Sequence, residues 1–391
     1  VYTGQLLWKL PLPTGASPGR RSNWGSHGFH FVALNDGIYI TFPKKCIRID
    51  PESGEVISDF RLGDDETWGK IRIIGDKIVV PVFRPTGTST ESLPSKLVAL
   101  DRYSGETKWE VESDTGFSLV SIANDKVFVY EGKLAGLYVG DSKERRRGIP
   151  VPQSRTTVKS LDLETGFVNW QQPTEYAGSW LTYSAKHDVL LMSNKEGIYA
   201  LSGKNGARLW SKHSDGEGFR GHPENYWDKV IVWDDWIIDQ RGPGKSYDVR
   251  TGDAIIRTNP ITGTEADWRF TKVGHHCNYA IANPHMMTFR AASAGFCNIE
   301  TGETARLNGF RSGCRNSLIP ANGILNAPNF GYGCTCSYSL FTSLAMVHIP
   351  EDVNYWSYSR YDEEIKEVER VGINFGAPGD RRDKEGTMWL D

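Results

Sequence analysis

Apolar residues come along most of the chain in short runs, each closed by a turn signal. The run Lys96-Leu97-Val98-Ala99-Leu100 leads into Asp101-Arg102-Tyr103-Ser104-Gly105, and Glu106-Thr107-Lys108-Trp109 follows. The run ending at Leu161 leads in the same way through Asp162-Leu163-Glu164-Thr165-Gly166 to Trp170. Such runs predict strands, and the Asp-x-x-Thr/Ser-Gly segment predicts a tight hairpin turn. The glycine has a physical reason: the turn needs a residue that tolerates positive φ. Further turn glycines stand at Gly4, Gly54, Gly206, Gly252 and Gly302, with steps of 40 to 61 residues between neighbours. Repeats of roughly 40–60 residues holding four short strands predict an all-β fold, a β-propeller of four-stranded blades.

Turns at Gly54, Gly105, Gly166, Gly206, Gly252 and Gly302 close six blades. Strands expected at Ser317–Ala321, Ile324–Pro328 and Ser343–Ile349 begin a seventh. The segment Gln5–Leu10 has no blade of its own and is expected to complete the last one, so that strands from both ends close the ring and remove its exposed edges. Eight blades are the alternative, if residues 350–391 hold another. Seven is preferred because Val353–Glu369 is polar and irregular. Residues 1–350 then form the propeller and 351–391 a C-terminal tail. Each blade tryptophan (Trp8, Trp109, Trp170, Trp210, Trp268) is expected to be largely buried.

Composition narrows the function classes. The chain has 391 residues, 13 of them Trp, with 39% hydrophobic residues, enough apolar material for a core. A net charge of −3 argues against a nucleic-acid binder. No apolar run is long enough for a membrane span. The chain starts at Val1 without a leader and is read as processed or excised from something longer. Its six cysteines, Cys46, Cys277, Cys297, Cys314, Cys334 and Cys336, permit disulfides and a secreted, periplasmic or cell-surface life.

The Asp-x-x-Thr-Gly-x-x-x-Trp unit resembles the repeat of pyrroloquinoline-quinone-like propellers over about residues 1–349. That family includes quinoprotein dehydrogenases and the outer-membrane assembly lipoprotein of Gram-negative bacteria. The stretch Gly309–His348, with Ser312-Gly313-Cys314-Arg315-Asn316 and Gly333-Cys334-Thr335-Cys336-Ser337-Tyr338, is similar to a subgroup of large secreted proteins from environmental bacteria. The tail Gly372-Ile373-Asn374-Phe375-Gly376 resembles the start of a malectin-like carbohydrate-binding module. The quinoprotein dehydrogenases usually carry a vicinal Cys-Cys pair, and this chain has none. It also lacks Cys-x-x-Cys-His. Neither PQQ nor haem is therefore expected.

In a propeller the segments entering the innermost strands share the mouth of the central funnel. Here each carries a glycine: Trp24-Gly25-Ser26-His27, Trp68-Gly69-Lys70, Thr115-Gly116-Phe117, Gly178-Ser179-Trp180, Arg220-Gly221-His222, Val273-Gly274-His275-His276 and Ser312-Gly313-Cys314-Arg315. The residues after these glycines are expected to line the funnel. His27, His222, His275 and His276 together suit a divalent metal or proton abstraction; the alternative is four polar plugs bonded to backbone or water. Long loops reach the same face, one carrying Lys143-Glu144-Arg145-Arg146-Arg147. With Arg20, Arg21, Arg84, Arg155, Arg220, Arg241, Arg311 and Arg315 they predict a cationic face for an anionic ligand. All six cysteines map towards it, Cys46 and Cys297 at the start of third strands, with Cys314 expected close to Cys334 or Cys336. A Cys/His metal centre is the second reading of the cysteines.

Two functions follow. The first is an extracellular propeller that binds or acts on an anionic polysaccharide or oligosaccharide, by analogy a uronate lyase. His222, His275 or His276 would be base or metal ligand, and Tyr332 or Tyr338 the leaving-group acid. Arg315, Lys70 and Arg220 would neutralise the anion, and Trp24, Trp180 and Trp227 would stack on sugars. The second, at equal weight, is a binding or scaffolding propeller without chemistry.

Overall fold

In the computed structural model every regular element is a strand, and no helix occurs among the described residues. The structure describes residues 7–11, 30–84, 93–132, 156–174, 178, 180–194, 197–213, 229–240, 244–258, 263–270, 280–313, 317–321, 323–328, 344–347, 358–360, 372–373, 381–382 and 388–390. Contacts divide the chain into two compact units, Val1–Ser211 and Lys212–Asp391.

The first unit contains four antiparallel sheets whose strands follow one another in chain order. The first runs through His30–Leu34, Gly37–Phe42, Lys45–Ile49 and Val56–Phe60. The second consists of Thr67–Trp68 and Arg72–Ile74, then Lys77–Phe83, Lys96–Asp101 and Thr107–Glu112. The third is Phe117–Ala123, Lys126–Glu131, Thr156–Asp162 and Val168–Thr174. The fourth is Trp180–Ser184, Val189–Asn194, Gly197–Ser202 and Arg208–His213. This is the up-and-down blade that the repeat predicted.

The middle strands are apolar on both faces because sheets cover both. In Lys77–Phe83, Ile78, Val80 and Val82 pack with Tyr39, Phe60 and Trp68. Val79, on the opposite face, packs with Trp109, Phe117 and Val127. The next interface joins Phe128, Tyr130 and Val158 to Leu190, Met192 and Tyr199. Side chains that alternate with period two thus feed two neighbouring cores from one strand.

The turn glycines also join sheets. Gly54, Gly105, Gly166 and Gly206 all have φ between +72° and +78°. Trp8 lies on Gly54, Phe60 on Gly105, Trp109 on Gly166 and Trp170 on Gly206, each close enough that a Cβ on the glycine would fall 2.5–2.8 Å from the ring. The indole nitrogens of Trp8, Trp109 and Trp170 donate to the carbonyls of Pro51, Leu163 and Gly203. Trp8, Trp170 and Trp210 are only half-buried. That corrects the expectation that they are largely buried, which Trp109 and Trp268 do meet. Residues 7–11 form no strand; the Trp8 side chain, rather than a backbone ladder, fastens this part of the expected Gln5–Leu10 strand.

In the second unit the blade unit is modified. Val230–Trp233, Trp236–Asp239 and Ser246–Asp248 form one three-stranded sheet. After Gly252 the outer strand is interrupted by the hairpin Ile256–Thr258 with Glu265–Asp267. The chain then returns beside Ser246, whose amide donates to the Trp268 carbonyl at 3.3 Å. Trp268 thereby takes the blade-tryptophan position, fully buried, with its indole N–H on the Ile299 carbonyl. The next sheet is Ile281–Ala282, Met286–Ala291, Ser293–Asn298 and Thr304–Leu307, and Tyr358–Arg360 adds a fifth strand to it. That strand lies in the stretch read from sequence as irregular. The expected late strands occur at Ile319–Ala321, Ile324–Ala327 and Leu344–Val347. A small sheet of Gly372–Ile373, Arg381–Arg382 and Met388–Leu390 ends the described chain.

Candidate functional site

The innermost strand of the second sheet is split, and a proline explains why. Trp68 pairs with Val82 and Arg72 with Val79, so Gly69, Lys70 and Ile71 stand opposite only Val80 and Pro81. Pro81 has no N–H for the ladder, and a bulge on the facing strand accommodates it. The Gly69 amide donates to the Pro81 carbonyl at 2.9 Å. A Cβ at Gly69 would lie 2.5 Å from that same oxygen, so the close approach requires glycine.

The bulge sorts the three following side chains. Ile71 turns into the core between the first and second sheets. Lys70 stays exposed, and Arg72 is half-buried with its Nη1 donating to the Lys70 carbonyl at 3.2 Å. Surrounding protein, and then the neighbouring charge of Arg72, hold the Lys70 ammonium below the ordinary lysine value. Burial pushes Arg72 down to about 10. Neither cation has a carboxylate partner among the described residues.

Elsewhere in this unit cations of the sheets are paired. Lys96 Nζ lies 2.7 Å from Glu66 and 2.9 Å from Glu110. Arg84 contacts Glu66 at 3.2 Å and Glu112 at 2.8 Å. Lys159 meets Glu131 at 2.6 Å. Arg84, expected to add free positive charge to the face, is therefore neutralised. Arg311, expected there too, is buried with its Nη1 on the Ser312 carbonyl.

Trp180 opens the innermost strand of the fourth sheet, opposite Ser193, and is half-buried. Trp180 thus lies at the end of its sheet away from the Asp-Gly turn, whereas Lys70 stands opposite Val80 and Pro81, in the middle of the facing strand. The other residues expected at the site, His27, His222, His275, His276, Tyr332, Tyr338, Arg315, Trp24, Arg220 and Trp227, lie outside the described residues. So do Cys277, Cys314, Cys334 and Cys336. Among the described residues no three His, Cys, Asp or Glu side chains gather as metal ligands.

Arg72 was missed because the glycine alignment counted only the next residue. Pro81 in the facing apolar run was the available signal that a bulge would interrupt the innermost strand here. Cys46 and Cys297 are buried free thiols, each pushed up to about 12 chiefly by burial. Cys46 starts its third strand as expected. Cys297 instead ends its strand, opposite Thr304, beside the Gly302 turn and away from the mouth end. The tight Ala291–Ser293 connection shifts the strand start to Ser293, which accounts for the difference.

No protein-family model and no curated protein matches the chain. Solved structures do resemble it. BamB from Moraxella catarrhalis superposes with a TM-score of 0.46 at 17% identity, over 77% of this chain and 93% of that one. Quinohemoprotein alcohol dehydrogenase ADHIIG from Pseudomonas putida HK5 gives 0.41 at 14% identity, over 71% of this chain. The match spans about half of that dehydrogenase, 51% of its length. The computationally designed Ika8 protein gives 0.43 at 10% identity, over 82% and 95%. No helix of the described residues is long and apolar enough to cross a membrane.

Proposed function

We propose that the protein is an extracellular binding propeller for anionic saccharide, holding its ligand at the mouth end of the innermost strands. The observation that carries this reading is the pair Lys70 and Arg72, without a carboxylate partner among the described residues, in a unit where Lys96 and Lys159 have one. Desolvated positive charge without a counter-charge is unfavourable unless an anion supplies it. Trp180, at the start of the innermost strand of the fourth sheet, offers an aromatic face of the kind that packs on sugar rings. The seven-blade count belongs to this proposal and is supported by Trp8, which rests on the Gly54 turn as Trp109 rests on Gly166.

The test is a binding screen of the full chain against neutral, uronate-bearing, sulfated and phosphorylated oligosaccharides by calorimetry at low ionic strength. The reading predicts binding of charged members that weakens as salt is added. Equal binding of neutral and charged members, or none at all, would contradict it. Release of unsaturated product, followed by absorbance, would move the protein to the lyase class.

A further inference from the structure

The chain contains the Asn-Gly pairs Asn205-Gly206, Asn308-Gly309 and Asn322-Gly323, of which Asn322 lies outside the described residues. Such a pair carries its own reaction. The glycine amide nitrogen, once it gives up its proton, can attack the asparagine Cγ. A new N–C bond closes a five-membered succinimide, the bond from Cγ to the side-chain nitrogen breaks, and ammonia leaves. Water then opens the ring at either carbonyl, giving aspartate or isoaspartate. Glycine permits the attack because it has no Cβ to crowd the approach. The reaction needs a free glycine nitrogen and a backbone that can turn, and the two described pairs differ in both respects.

Asn205-Gly206 is held at several points. The Gly206 amide donates to the Ser202 carbonyl at 2.8 Å. Asn205 Oδ1 accepts from the Ala207 amide at 3.0 Å, and the Asn205 carbonyl accepts from Gln172 Nε2 at 3.3 Å. The Trp170 ring covers the glycine as well. Asn308-Gly309 follows the strand Thr304–Leu307 in irregular backbone, with both residues exposed. Among the described residues the Gly309 amide donates to no partner, and a Cβ there would meet nothing within 4 Å. The hydrogen bond that Asn308 does make favours the attack. The buried Ser293 donates its hydroxyl to Asn308 Oδ1 at 3.3 Å. This oxygen gains negative charge as the nitrogen adds to Cγ, and a donor placed at developing charge lowers the barrier.

We infer that Asn308 is a site of spontaneous modification, converted through a succinimide to aspartate and isoaspartate with the Ser293 hydroxyl assisting, and that its turn protects Asn205. The reaction consumes only water and releases ammonia. It puts a carboxylate on the end of this sheet opposite the Gly302 turn. The inference is independent of the proposed function.

The experiment holds the full chain at pH 8 and 37 °C, native in one sample and unfolded in guanidinium chloride in another. Both pairs are followed over time by peptide mapping, with isoaspartate scored by enzymatic methylation. In the native chain Asn308 is expected to convert about tenfold or more faster than Asn205, which must first break hydrogen bonds that Asn308 lacks. In guanidinium chloride the two rates should converge, since both residues precede glycine. Ser293→Ala should slow Asn308 in the native chain and leave its unfolded-state rate unchanged. Loss of fold would instead bring the rates of Asn205 and Asn308 together, so the variant separates the two causes.

Asn205 converting as fast as Asn308 in the native chain would overturn the inference. So would a native Asn308 that stays intact while the unfolded chain converts. A native Asn308 rate that Ser293→Ala does not change would overturn the part assigned to the serine.

Discussion

Trp109 rests on Gly166: its indole N–H donates to the Leu163 carbonyl at 2.8 Å, and a Cβ on the glycine would fall 2.8 Å from the ring. One contact thus fixes the outer strand of the second sheet to the turn of the third. Gly166 also has φ +73°, where a non-glycine residue costs about 1–2 kcal/mol before any clash. Gly166→Ala is therefore expected to lower stability by about 2 kcal/mol or more in urea titration. Trp109→Phe, which loses the hydrogen bond and part of the buried indole that packs on Gly166, should cost more than about 1 kcal/mol.

The two blade tryptophans with unequal burial provide a graded test. Trp268 is fully buried in a cluster with Phe270, Phe289 and Met287, whereas Trp170 keeps an exposed edge. Trp268→Ala should cost about 3–5 kcal/mol and Trp170→Ala clearly less. Equal losses in chemical denaturation would mean that the two contacts do not differ as the packing indicates.

The Asp turns predict acid sensitivity. Asp248 is held down to about 2, first by its hydrogen bond from Arg250 and then by turn amides, from an ordinary value of 3.8. Backbone amides likewise lower Asp50 and Asp101, and Thr165 lowers Asp162 through its hydroxyl and amide. Depressed folded-state values mean that the stabilisation is complete above the ordinary carboxylate value and is lost as pH falls through the folded one. Thermal stability should therefore drop as pH falls from 3.8 to about 2, and Asp248→Asn should flatten part of that drop. A flat profile over this interval would show that the turns do not bind their carboxylates as the structure has them.

Much of the blade architecture was legible in the sequence, and the reason is local. The Asp-x-x-Thr-Gly turn contains its own hydrogen bonds, such as those from the Glu164 and Thr165 amides to Asp162, so sequence spacing alone locates it. The Gly252 repeat was harder to read. There the tryptophan is supplied by Trp268 after a hairpin, and Ile256 occupies the sequence position where the Gly4, Gly105, Gly166 and Gly206 repeats carry the ring. At the site, Lys70 was legible from its glycine. Arg72 was not, because its place depends on Pro81 in the facing strand and no glycine marks it.

Both described cysteines should behave as inert core residues. Their thiols are buried and pushed up to about 12, so the thiolate that reacts is scarce at neutral pH. After partial tryptic mapping of native, alkylated protein, Cys46 and Cys297 should be unlabelled, and both should label once denatured. Rapid native labelling of either would contradict the packing around it.

The account's central claim is that uncompensated positive charge at Lys70 and Arg72 holds an anionic saccharide. The most direct measurement compares the native chain with Lys70→Gln in calorimetric titrations of one charged oligosaccharide across a salt series. The account predicts affinity about tenfold or more weaker in the variant and a shallower salt dependence, with thermal unfolding of the free variant no lower than that of the native chain. Identical affinity and identical salt dependence in the two proteins would contradict it.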